Sequence, residues 1–105
     1  MVRIRYRRTD TMHTLAVVGH AGYSSDGNDI VCAGVSAVVY ALLGFLHNLP
    51  DNGKRLTDRV ESGETVIFWQ GDNVESSCAF RMAEIGLLQI AQRYPEYVTF
   101  ADADV

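Results

Sequence analysis

The chain has 105 residues, 48% of them hydrophobic, with a formal net charge of −4 and a pI near 5.2. That length supports one domain with a core of its own, without disulfides or metal as staples, and the composition excludes a disordered segment. The acidic balance argues against a general nucleic-acid binder, which is normally basic.

Val2, Ile4 and Tyr6 alternate with Arg3, Arg5 and Arg7, the period-two pattern of a half-buried strand. Thr9-Asp10-Thr11 reads as a turn, with His13 assigned to it, and Thr14 to Val18 as a second strand, which together make a hairpin. The arginine row, with Arg8 beside it, is the one dense basic cluster. It reads as a solvated sheet face, or functionally as a surface for an RNA-rich or acidic partner. The first residues contain no apolar signal-peptide core, and the two cysteines, Cys32 and Cys78, lie in different predicted helices. A reduced, cytoplasmic protein is the expectation.

A loop follows the second strand: Gly19, His20, Ala21, Gly22, Tyr23, Ser24, Ser25, Asp26, Gly27 and Asn28. Its glycines predict a mobile segment, able to act as a substrate clamp or to serve as a plain connector. Asp29 then stands where an N-cap belongs, with its carboxylate in reach of the Val31 and Cys32 N–H groups. This puts Cys32 in the first turn of a helix, where the macrodipole favours a negative charge such as a thiolate. A cysteine and a histidine are the minimum equipment for thiol nucleophilic catalysis. His20 and Cys32 are twelve positions apart across loop residues, so the chain can fold back and join them.

The helix runs on through Val35, Val38, Val39, Leu42, Leu43 and Leu46 and is apolar nearly all round. The run from Ile30 to Leu46 is 17 residues, interrupted by Gly34, Ser36, Tyr40 and Gly44. It falls short of the roughly 20 apolar residues of a membrane span, so a buried helix is expected. A two-layer domain covers only one face of such a helix, which leaves the other for a partner subunit and predicts a dimer.

Asn48 to Gly53 is turn chemistry, Leu56 to Glu61 a short strand, Ser62-Gly63 a hairpin turn, and Thr65 to Gln70 a stronger strand. Asp72 and Glu75 are spaced like a capping box at the start of a second helix. Val74, Cys78, Met82 (or Ala79), Ile85 and Leu88 make its predicted buried stripe, with Cys78 as core. Pro95 stops that helix, Tyr97 to Phe100 form a last strand, and Ala101 to Val105 a frayed tail. The order ββαββαβ predicts an α+β, two-layer fold, a mainly antiparallel sheet with two helices on one face.

Several chemical roles remain open on local grounds. Cys32 is either a packed thiol or a nucleophile; His20 is a strand-end residue, a general base or a metal ligand. No CxxC or HxxxH pair supports a metal, since a zinc site wants three or four ligands, and no cofactor is expected. Asp29 either caps the helix or orients the imidazole. Ser36, one turn beyond Cys32 on the same face, either supports the thiol or satisfies a helix carbonyl.

The blocks Gly19-His20-Ala21 and Asp29-Ile30-Val31-Cys32-Ala33-Gly34-Val35-Ser36-Ala37 resemble the signature of the Prp family, the ribosomal-processing cysteine proteases. The resemblance implies a single cysteine-protease domain over residues 1–105 that removes the N-terminal extension of a large-subunit ribosomal protein. It implies Cys32 as nucleophile and His20 as general base and acid, with Asp29 and Ser36 as possible supporting residues. The loop from Gly19 to Asn28 would cover the substrate. Members resemble homodimers, with no membrane and no direct nucleic acid required. The alternative from another class is a non-catalytic ribosome-assembly or RNA-associated binding module that uses the arginine strand. A thiol-redox role ranks third, since no resolving cysteine lies near Cys32 in the sequence.

Overall fold

Strand alternation and two long helices set the architecture. The computed structural model describes residues 1–20, 22, 29–71 and 73–102. Its elements are β1 (Val2–Arg8), β2 (Met12–Val18), α1 (Ile30–His47), α2 (Asn52–Arg55), β3 (Leu56–Glu61), β4 (Glu64–Gln70), α3 (Val74–Arg93) and β5 (Val98–Asp102). The five strands lie in the order β3-β4-β2-β1-β5. All neighbours are antiparallel except β1 and β5, which run parallel. This is the expected ββαββαβ order and α+β class, with the four-residue α2 added where only a turn was read.

In β1, Val2, Ile4 and Tyr6 are buried, whereas Arg3, Arg5 and Arg7 stand exposed on the opposite face. Leu15, Ile67 and Trp69 extend the buried face across β2 and β4. Against it pack Val31, Val35, Val39, Leu42 and Leu46 of α1 and Phe80, Ala83 and Leu87 of α3, in one continuous core. By length and composition α1 would pass as a membrane span. In the fold its apolar stripe lies in this core instead.

Four readings are corrected. β2 starts at Met12, so His13 is a buried strand residue, paired with Arg8 and Trp69, rather than part of a turn. The last strand runs on to Asp102, because pairing with β1 carries it through Ala101. The N-cap of α3 is Asn73, whose Oδ1 accepts from the Ser76 hydroxyl at 2.6 Å; Asp72 lies outside the described residues. The buried stripe of α3 is Ser76, Phe80, Ala83, Leu87 and Ala91. Val74 (76% exposed), Met82 (72%), Ile85 and Leu88 face outward, and Cys78 is exposed as well. Small residues at 76, 83 and 91 are part of this buried stripe. Counting bulky apolar side chains therefore selected the wrong face.

Candidate active site

His20 follows β2 through Gly19, and the backbone there is tightly held. Gly19 has φ +100, and a Cβ on it would fall 2.3 Å from the Met1 carbonyl oxygen, so only glycine fits. Its N–H donates to the Gly63 carbonyl at 2.7 Å, and the Met1 amino group donates to the His20 carbonyl. Gly63, in the β3–β4 turn with φ +77, lies under the imidazole: a Cβ on it would come 3.0 Å from His20 Nε2. A side chain at 63 would push the ring away.

Cys32 arrives from the other side, as the third residue of α1. Asp29 is the N-cap with extended backbone, and its Oδ1 accepts from Val31 N–H at 3.0 Å and Cys32 N–H at 2.9 Å. This is the cap expected from the sequence. The Ala33 N–H donates to the Asp29 carbonyl at 3.0 Å. These three amides at the helix start are therefore engaged with Asp29. An oxyanion formed beside this thiol would have to find its donors elsewhere.

His20 and Cys32 line one cleft of about 190 Å3. Ser36 and Tyr40 share its α1 wall, one and two turns beyond Cys32. Val2, Val17 and Val35 supply its apolar surface, and the hairpin from Glu61 to Thr65 closes the far side. Cys32 is partly buried and His20 exposed, so the thiol is sheltered while the imidazole meets solvent. Of the residues singled out in the sequence, Gly19, His20, Cys32 and Ser36 come together in this cleft. Asp29 stands one turn behind the thiol as the cap. Gly22 is exposed with φ +70; Ala21 and residues 23–28 lie outside the described residues.

The hairpin wall and Tyr40 were missed by sequence reasoning. Tyr40 was within reach, since it continues the 32, 36, 40 stripe of the helix. Nothing local ties residues 61–65 to His20; pairing of β2 with β4 brings them there. Among the described residues no group of three His, Cys, Asp or Glu side chains could hold a metal ion.

The family model of the cysteine protease Prp matches residues 1–99. No curated protein matches the chain. Among solved structures, the essential ribosomal processing protease Prp from S. aureus with a covalently linked product peptide superposes with a TM-score of 0.82 at 24% identity, covering 97% of this chain and 99% of that one. The same protease with a substrate peptide gives 0.75 at 23%, with the same coverage. SMU.848 from Streptococcus mutans gives 0.72 at 23%, covering 100% of this chain and 96% of that one. These structural likenesses establish a shared fold, and the match over residues 1–99 establishes kinship: the chain belongs to the Prp family of cysteine proteases.

Proposed function

We propose that residues 1–105 form one cytoplasmic cysteine-protease domain that removes the N-terminal extension of a large-subunit ribosomal protein, with Cys32 as nucleophile and His20 as general base and acid. The observation that carries this reading is the convergence of His20 and Cys32, from two separate elements, on one cleft. The S. aureus relative is a ribosomal processing protease seen with substrate and product peptides. Its substrate class is carried over here. An extended peptide lies along the cleft. The Cys32 thiolate attacks the scissile carbonyl, and His20 protonates the leaving amine as the C–N bond breaks. Water, deprotonated by His20, then splits the thioester and frees the thiol. Asp29 serves as the helix cap, and Ser36 stands close enough along α1 to support the thiol.

The same reading includes a homodimer. Phe45 of α1 and Val74, Met82 and Ile85 of α3 are exposed apolar residues. An apolar groove of about 660 Å3 runs between the two helices. A second copy would cover this face, and Phe45→Glu should shift the protein toward monomer in light scattering.

The deciding experiment is cleavage of a peptide copying the host ribosomal protein's N-terminal extension, read by mass spectrometry. A single cut by the natural protein and none by Cys32→Ala supports the protease. Cleavage that survives Cys32→Ala overturns it. The RNA-associated alternative draws on Arg3, Arg5 and Arg7, exposed on the open sheet face. It predicts indifference to thiol alkylation and sensitivity to loss of those arginines.

A further inference from the structure

Glu61 and Glu64 sit directly opposite each other at the last pair of the β3–β4 hairpin, and both line the cleft that holds His20 and Cys32. Like charges at directly opposed positions destabilise an antiparallel pair. Arg59 relieves only one of them, with Nη2 2.6 Å from Glu64 Oε1. Glu61 is exposed and has no hydrogen-bond or ion-pair partner among the described residues. A local rule broken at the edge of a cleft, with one charge left uncompensated, marks a place where function overrides stability.

The rest of the cleft says what would compensate it. Its lining is mixed, and Val2, Val17 and Val35 give it an apolar part that can receive an apolar side chain. A cation on a neighbouring substrate residue then meets Glu61 at the rim. The net charge of −4 acts in the same direction, drawing a basic polypeptide toward the protein. We propose that Glu61 determines specificity by selecting substrates that carry a lysine or arginine beside the apolar residue seated in the cleft. The inference rests on the protease reading above and adds the sequence character of its substrate.

The test scans one lysine, against norleucine of similar length, through the positions flanking the scissile bond of an otherwise neutral peptide. Cleavage by the natural protein is measured in parallel with binding to Cys32→Ala by fluorescence anisotropy, so that binding reports even if no peptide is cut. At one position lysine should be preferred about three- to fivefold at low salt, with the preference shrinking as salt rises, as for a solvated charge pair. Glu61→Gln should bring that ratio close to one, and Glu61→Lys should favour a glutamate peptide instead. Asp10→Asn, in the turn at the other end of the sheet, should leave the ratio unchanged. Equal treatment of lysine and norleucine at every position, or a preference that survives Glu61→Gln, overturns the inference. Peptides that bind with the lysine preference but are never cut would uphold Glu61 and count against the protease reading alone.

Discussion

β2 contains one histidine and leads into another, and their surroundings are opposite. His13, near its start, is 3% exposed. It stacks on Phe80 at 4.5 Å between ring centroids and 8° between planes, and on Tyr6 at 6.1 Å and 10°. A hydrogen bond of 2.6 Å joins its Nδ1 to the Tyr6 hydroxyl. Burial holds its pKa below the usual imidazole value, and the Arg8 cation adds to the shift. His20, beyond the other end, stands in solvent over a glycine turn. The first imidazole is kept neutral as a core aromatic, whereas the second faces solvent at the cleft. Residue type did not separate them; the packing of α3 onto one end of the sheet did.

The sharpest way to break this contrast is a crossed pair of substitutions. His20→Ala should lower kcat/KM by about 10^3-fold, the scale of a lost general base, and leave the urea midpoint nearly unchanged. His13→Ala should do the reverse. It should cost roughly 3 kcal/mol of stability, as for other large core truncations, while the folded fraction keeps its kcat. Similar effects of both variants on activity would mean that the two ends are not separate.

Gly63→Ala probes the support beneath His20. With φ +77 and a Cβ 3.0 Å from Nε2, it should cost about 1–2 kcal/mol in backbone strain. By displacing the ring it should also lower kcat about tenfold or more. Full activity in a destabilised protein would show that the turn supports the hairpin and not the imidazole.

Asp29 separates capping from catalysis. Asp29→Ala should cost about 1 kcal/mol through the lost cap, whereas Asp29→Asn keeps the acceptor and most of the stability. If capping is its role, kcat of Asp29→Asn stays within a few-fold of the natural protein. A loss on the scale of His20→Ala would make Asp29 the group that orients the imidazole.

The smallest effect concerns acid. The folded pKa of His13 lies below its unfolded value near 6.5, so the unfolded chain binds the proton more readily. Its contribution to stability is present above about pH 6.5 and is lost as pH falls from there toward the lower folded value. Urea midpoints at pH 7.5 and 5 should show a decline that His13→Phe reduces; an unchanged decline would assign the acid sensitivity to other groups.

Much of the site was legible before folding was considered. The Asp29 cap, the place of Cys32 in the first turn and the Gly-His step after a strand are all local. Each depends on backbone groups within a few residues, which sequence spacing reports directly. The α3 face was not legible. Both of its candidate stripes hold apolar residues, and only packing against the rest of the core chooses between them. The same holds for His13, whose burial needs Phe80 from a distant helix, and for the Glu61–Thr65 wall, which reaches His20 through β2–β4 pairing. Local hydrogen bonding and hydrophobic period thus determined the elements, the cap and the place of Cys32 in the first helical turn. Long-range packing alone decided which helix face is core, which histidine is buried and what lines the cleft.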